Sequence, residues 1–483
     1  MAKAPGKFKF GEWLPDQPAL DNPGMPEASN VLRVGQQYVP YLPMVNSGSA
    51  LTGAILSALR ARGSGTAGTN GNLYLGQQNG ATFKIWCASG NNGGAYSDVT
   101  PTGGLLGAQI MTLAQFDENV ILTGNTFVPQ FAVLGLSASP PIFSKLTGAF
   151  GDAPAGVVAG VVGQFVVLGN MGSGAGYAVQ WSGIGAPTDW PTPNSAQAVA
   201  EQSGEQLVDP ALGNVWGISS GDQWGLVLLD GGIVRMAYDG GGTVFQFDTI
   251  FRGPGPLFPG WWIKVGQLIY FASSAGFFVT DGTQVIPIGR GKVDNYFLSH
   301  LDTTKLTSVQ CGVDYKNRLI YWTLPKTADG GNPTELLAFN YEEQKWTHVF
   351  DSIRLFVRGE ESVGVQVGTE VFGNNDTLGT LTGTPGTASL ISQELELNPG
   401  GRALVSGFRP QVSGTSPSVT CKVGSRNSLG DAVSFTASQT PDASTGSANF
   451  LVDNRYHRAE VDITGAFVHA IGGEFDSQPT SQY

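Results

Sequence analysis

A short apolar run that closes on a turn recurs along this chain and constrains its fold more than any other feature. It reads VILTG at 120–124, QFVVLGN at 164–170, GLVLLDGG at 225–232, LIYFASSAGFFVTDGT at 268–283 and RLIYWTLP at 318–325. Successive onsets lie roughly 43–61 residues apart, near the ~40–50 residues expected of a propeller blade. Asp-Gly pairs at 230–231, 239–240 and 281–282 are hairpin signals that fit the same pattern. Candidate blades centre on 73–98, 105–146, 155–192, 206–251, 262–289, 307–350 and 353–383, which predicts six or seven.

Composition supports an all-β reading. The chain has 483 residues, with 69 Gly, 28 Pro and only 13% charged side chains. A disordered chain would be richer in charge and poorer in aromatics, so the glycines read as turns. This length supports at least two domains. No apolar segment of ~20 residues occurs, so no membrane span is expected. The opening MAKAPGKFKFGEW lacks the apolar stretch of a secretory signal. Three isolated cysteines (Cys87, Cys311, Cys421) form no CxxC pair and suggest neither a disulfide framework nor a zinc site.

The net charge is −12, and most of it sits between residues 61 and 383, with 15 basic against 25 acidic residues. Tight nucleic-acid binding needs clustered Lys and Arg to displace counterions, so it is not expected. An acidic wall is compatible with DNA passing without sticking, and equally with a charge that serves solubility alone.

Three regions follow. Residues 1–45 read as an extended Pro-rich arm, because Pro15, Pro18, Pro23, Pro26, Pro40 and Pro43 are too dense for a helix or an inner strand. Such an arm lies across its own domain or across a neighbour, and in the second case its apolar residues Phe10, Trp13 and Leu14, with Pro15, are candidate assembly contacts. Residues 46–383 read as the propeller. Within it, 49–62 has apolar residues at Leu51, Ala54, Ile55, Ala58 and Leu59, the spacing of an amphipathic helix. A second short helix is expected at 293–300. The uncharged stretch TLGTLTGTPGTA at 377–388 reads as a linker. Residues 384–483 read as a β-sandwich, with Ala459, Val461 and Ile463 toward its core and Arg458, Glu460 and Asp462 toward water.

The chemistry-bearing patterns are weak. A formal G-x-G-x-x-G at Gly63, Gly65 and Gly68 has a predicted helix before it and a strand after it, the reverse of a dinucleotide site. A G-x-S-x-G around Ser219 is followed by a strand, whereas a nucleophile elbow requires a helix. His300, His348, His457 and His469 have no metal-ligand spacing and read as ordinary surface or half-buried histidines. The acid doublets Asp117/Glu118, Glu342/Glu343 and Glu360/Glu361 cannot each form a catalytic pair, because neighbours on a strand face opposite ways. Glu201/Glu205 are a further acid candidate. No catalytic, cofactor-binding or metal-ligating residue is assigned. The tryptophans at 181, 190, 216, 224, 261, 262, 322 and 346 read mainly as blade core. Trp261 and Trp262 are adjacent, so one of them is a candidate interface residue. Leu257 and Phe258 are candidate gate residues on an apolar loop.

The order of several segments resembles a known family. FGEWLPDQPALDNPGMPEASNV at 10–31 is followed by AGTNGNLYLG at 67–76 and WSGIGAPTDWPTP at 181–193. SSAGFFVTDGTQVIPIGRGKVDNYF at 273–297 and VDYKNRLIYWTLP, from 313, come next, then LLAFNYEEQKWTHV at 336–349. Together these resemble the tail hub, or nozzle, proteins of short-tailed phages, also described as packaged-DNA-stabilisation proteins. A segment that reads GRY-like in the family is Asn454–Arg455–Tyr456 here, a departure from the pattern. The resemblance implies a virion structural protein without enzymatic activity, located in the tail and assembled in the host cytoplasm. It also implies a homo-oligomeric, hexameric ring below the portal and adaptor, neighbouring tail fibres or spikes, that continues the channel for genomic DNA, retains the packaged genome and allows its ejection. The alternatives are a receptor- or carbohydrate-binding tail protein and a propeller glycoside hydrolase.

Overall fold

The computed structural model describes residues 6–61, 72–88, 95–108, 110–133, 141–172, 174–241, 243–359 and 369–482. The Gly63, Gly65 and Gly68 pattern and the Glu360/Glu361 doublet lie outside these residues.

Among the described residues, seven antiparallel blades follow one another along the chain, with a two-stranded ribbon of Thr147–Gly148 and Gly151–Asp152 between the second and third. Blade one comprises Ala54–Ala61, Asn72–Asn79 and Thr82–Ala88, edged by Ser97–Asp98 and Leu105–Leu106. Blade two is Met111–Phe116, Asn119–Gly124, Gln130–Val133 and Ser144–Lys145. Blade three is Gly156–Val162, Phe165–Met171, Ala175–Trp181 and Gly204–Leu207. Blade four is Val215–Ile218, Trp224–Leu229, Gly232–Tyr238 and Phe245–Arg252. Blade five is Trp262–Val265, Leu268–Ser273, Gly276–Thr280 and Val285–Pro287. Blade six is Cys311–Asp314, Leu319–Pro325, Pro333–Asn340 and Lys345–Phe350. Blade seven takes Ile353–Phe356, Glu370–Gly373 and Leu378–Leu381 from the propeller segment and its outer strand, Met44–Asn46, from the N-terminal arm.

The recurring apolar runs are the second strands of blades two to six. A second strand has neighbours on both edges and blades on both faces, so it reads as nearly continuous apolar sequence rather than as alternation. Val120, Ile121, Leu122, Val166, Val167, Leu168, Ile320 and Tyr321 are accordingly all buried. The three Asp-Gly pairs fall in blade hairpins, as expected.

The ring closes between blade one and blade seven. Leu59 and Arg358 form a parallel bridge, with Arg60 N donating to Arg358 O at 2.7 Å and Arg358 N to Ala58 O at 3.0 Å. Blades three and four meet in the same way at Val162 and Gly221.

The predicted helix at 49–62 is instead mostly the inner strand of blade one. The register slips between Ile55 and Ser57 as this strand pairs with Asn72–Asn79. A bulge shifts the inward face by one residue, so an interrupted period of two gave the spacing of a helix. The helix expected at 293–300 forms at Asp294–His300. The predicted linker at 377–388 is shorter than expected, because Leu378–Leu381 is a strand of blade seven.

The C-terminal region is a two-sheet sandwich. Gly401–Ser413, Ala448–Asn454 and His469–Gln482 form one sheet. Ala388–Ile391, Leu395–Glu396, Ser418–Arg426, Ser434–Phe435 and Tyr456–Thr464 form the other. Ala459, Val461 and Ile463 are buried between them, as the alternation predicts. The opposite face is less wet than predicted: Glu460 pairs with Lys422, Asp462 accepts from Ser389, and Arg458 lies over the Phe435 ring.

The arm corrects the three-region reading most. It forms strands in both domains: Pro26, Pro40 and Pro43 flank or end these strands, and Pro15, Pro18 and Pro23 lie in the connection before Glu27–Ser29. Gly6–Lys9 pairs with His469–Gln482, and so does the hairpin of Val31–Val34 and Gln37–Pro40, through Tyr38. Glu27–Ser29, predicted not to be an inner strand, lies inside a sheet. It is parallel to the outer strand of blade six and antiparallel to Ala388–Ile391 of the sandwich. Blade six and half of the sandwich are therefore one ten-stranded sheet, and a single apolar core runs from Phe475 and Val461 to Trp322 and Trp261.

Candidate functional site

Two constructions concentrate polar chemistry: an axial cavity in the propeller and a buried seam where the arm crosses blade six. The cavity, of about 120 Å³, lies at the starting ends of the inner strands of blades one, two, five, six and seven. Ser57, Thr112, Thr307, Ser308 and Gln310 give its wall polar groups, and Arg354 and Arg358 give it charge. Arg354 Nε lies 3.1 Å from Asp376. Arg358 donates from Nη2 to Pro259 O at 2.8 Å and to Trp262 O at 3.0 Å, with its guanidinium 5.6 Å from the Trp262 ring centroid. Among the described residues, no aspartate or glutamate lines this cavity.

The seam is built around His348. Its Nδ1 is 2.7 Å from Glu335 of the neighbouring strand and its Nε2 is 2.9 Å from Glu27 of the arm. Tyr296 donates to Glu335 at 3.0 Å, and Lys326 is ion-paired with the same carboxylate. Trp13 stacks on the imidazole at 4.2 Å. Burial disfavours the imidazolium, but the hydrogen bonds it donates to the Glu27 and Glu335 carboxylates outweigh it and bring His348 up to about 9. Burial likewise opposes the charge on Glu335, but His348 and then Lys326 hold its carboxyl down to about 2. Glu12, one residue from Trp13, accepts from Lys292 at 2.9 Å and from Trp346 N at 3.2 Å. Asp16 accepts from Asn295 N and Tyr296 N, capping a helix whose own N-cap residue, Val293, makes no side-chain cap. A carboxylate there also complements the helix dipole.

The candidate contacts from the sequence lie mostly inside the chain. Phe10, Trp13 and Leu14 are buried, and Pro15 is half-buried, so they serve the arm's own docking. Trp261 ends a 3-10 turn in the main core and donates to Leu306 O at 2.8 Å. Trp262 begins the next strand, packs toward blade four and donates to Trp216 O at 3.4 Å. The turn between them lets two adjacent tryptophans serve two cores, with Trp261 fully buried and Trp262 half-buried. Leu257 and Phe258 pack against the main core, with Phe258 at the cavity wall and 5.1 Å from the Trp216 ring, so they are not a free loop tip.

Ser219 is buried in a strand turn and its hydroxyl accepts from Leu226 N at 2.8 Å. Asp117 lies in the first hairpin of blade two. Glu342 pairs with Arg318, Glu343 accepts from Gly35 N, and Glu201 accepts from Gln197. Glu205 is on the outer strand of blade three. His300 and His469 have partly exposed polar partners, Tyr296 O and Ser413. His348 and His457 contradict the surface reading: both are buried, and burial pushes His457 down to about 4. The His348 seam was missed in the sequence, although Glu335 and His348 stand as diagonal neighbours on paired strands.

No family model matches the chain, and no curated protein matches it. Among solved structures, it is similar to Hsv2 of Kluyvelomyces marxianus at 12% identity and a TM-score of 0.30, over 59% of this chain and 72% of that one. It is also similar to an exo-beta-1,3-galactanase of Phanerochaete chrysosporium in complex with beta-1,3-galactotriose. That match has 10% identity and a TM-score of 0.25, over 90% of this chain and all of that one.

Proposed function

We propose that this chain is a structural subunit of a short-tailed phage tail, of the hub or nozzle type, assembling into a ring that continues the DNA channel. The observation that carries this reading is the continuous sheet from blade six through Glu27–Ser29 into the sandwich. A hinge between the domains would bend there, and the arm fills that place with ladder hydrogen bonds and the His348 seam. A stiff subunit of this kind suits a wall that bears load and makes no bonds. The ordered segments from Phe10 to Val349 supply the family expectation. Ring order, adaptor contacts and DNA passage belong to this proposal. A retaining or inverting glycosidase would need two carboxylates about 5–10 Å apart, and the axial cavity offers none among the described residues.

A receptor- or carbohydrate-binding tail protein is the second reading, and one groove favours it. Between blades five and six, a cavity of about 180 Å³ is lined by Tyr270, Tyr341, Phe339, Gln284 and Gln344. Aromatic faces with amide groups suit a sugar ring.

Cryo-electron microscopy of the purified particle tests both. A closed ring of this chain on the tail axis is the expected result. Density only at the tail periphery would favour receptor binding, and absence from the particle would overturn both structural readings.

A further inference from the structure

We propose that the axial cavity is a binding site for one small oxyanion, with phosphate, sulfate and a carboxylate as the chemical candidates, held against Arg358. The arginines around the ring closure differ in one respect. Arg60 is 2.6 Å from Glu370, and Arg354 is 3.1 Å from Asp376. Arg358 is half-buried and meets two backbone carbonyls, an indole face and the neutral thiol of Cys311, but no carboxylate among the described residues. A partly desolvated guanidinium whose charge no neighbour neutralises is costly, and an anion beside it offsets that cost. The cavity next to Arg358 has the right lining: the hydroxyls of Ser57, Thr307 and Ser308 and the amide of Gln310 can donate hydrogen bonds. At about 120 Å³ the cavity holds a few waters or one small polyatomic ion. The chain's net charge is −12, yet no acid lines this wall among the described residues.

The position gives the site a consequence. The Arg358 backbone makes the bridge that joins blade seven to blade one, while its side chain reaches carbonyls at the start of blade five. An anion bound there holds several blades at once. Because it binds only the closed ring, it raises stability by mass action.

The test titrates the full chain with inorganic phosphate at constant ionic strength, with chloride as the balancing salt. It is followed by calorimetry, 31P line width and the thermal midpoint. One saturable site per chain and a midpoint that rises with phosphate are expected. Sulfate and acetate as parallel titrants distinguish a tetrahedral from a planar ligand. Arg358→Gln is expected to weaken binding ~10-fold or more, the scale of a charge-assisted hydrogen bond. Arg358 also holds two carbonyls, so Gln310→Glu is the second variant. It leaves Arg358 in place, puts a negative charge into the cavity and is expected to abolish the phosphate response. The proposal is overturned if none of the three anions saturates a site beyond the effect of chloride, or if folded Gln310→Glu binds as tightly as the parent.

Discussion

His348 and Glu335 lie on adjacent strands of blade six with Nδ1 and Oε1 2.7 Å apart, and neither side chain has more than 2% of its surface exposed. With Glu27 on the other imidazole nitrogen and Lys326 on Glu335, the cluster holds two negative and two positive groups. Opposite charges taken out of water together are tolerated where hydrogen bonds complete the set. Glu27 comes from the arm, so this cluster locks the arm onto the propeller.

Stability should depend on pH in a defined direction. His348 is raised to about 9 in the folded chain, so its contribution is complete below the unfolded value near 6.5 and is lost as pH rises through about 9. Glu335 is lowered to about 2, so its contribution is complete above its unfolded value near 4.5 and is lost as pH falls through about 2. The seam is at full strength between roughly 4.5 and 6.5. Urea midpoints measured from pH 5 to 9.5 should fall on the alkaline side. In His348→Ala the alkaline fall attributable to this residue should vanish, on a baseline lower by about 3–5 kcal/mol. An unchanged alkaline slope in the variant would show that His348 is not the titrating group.

The arm should be essential to the fold of the isolated chain. Trp13 is fully buried, stacked on His348 and edge-on to Tyr296 at 5.0 Å. Trp13→Ala should cost about 3–5 kcal/mol, the usual range for emptying a large aromatic site. Removing residues 1–46 should do more, since it deletes the outer strand of blade seven and the strand that bridges propeller and sandwich. Chemical denaturation of the two proteins checks this. A truncated chain that unfolds like the parent would mean that the arm is ornamental.

Much of this architecture was legible because the second blade strands are buried on both faces and announce themselves as apolar runs. The C-terminal alternation around Val461 was legible for the complementary reason, with one face buried and one polar. The first blade strand misled because a bulge at Ile55–Ser57 broke its period. The arm misled for a different reason. Its proline density correctly signals extended chain, but the partners of Glu27–Ser29 lie more than 300 residues away, and local sequence carries no record of them. The same distance hid the arm's part in the seam, since Glu27 and His348 are 321 residues apart, while the Arg358 cavity is assembled from strands that meet only when the ring closes.

Blade packing should be intolerant at Gly217. A Cβ there would lie 2.2 Å from Trp262 Nε1, on the ring that carries Arg358. Gly217→Ala should destabilise by about 1–3 kcal/mol through overpacking. Gly386→Ala, where nothing lies within 4 Å of the new Cβ, is the control and should stay within about 0.5 kcal/mol of the parent. Thermal unfolding of the pair checks the contrast, and equal midpoints would mean that blades four and five are less tightly packed than described.

The three thiols should be silent in the native chain. Cys87, Cys311 and Cys421 are all buried and unpaired. Burial pushes Cys87 up to about 11, and Cys311 and Cys421 up to about 12. The reactive species is the thiolate, so at pH 8 both access and ionisation oppose reaction. Ellman's reagent should therefore label none of them rapidly in buffer and all three in denaturant. Slow native labelling should follow the opening of the blade or sheet that holds each cysteine. Cys311 lies in the main core and Cys87 in blade one, so Cys87 should react first if the blades open separately. Rapid stoichiometric labelling of Cys311 in the native chain would show that the inner strand of blade six is open to solvent, contrary to the closed ring.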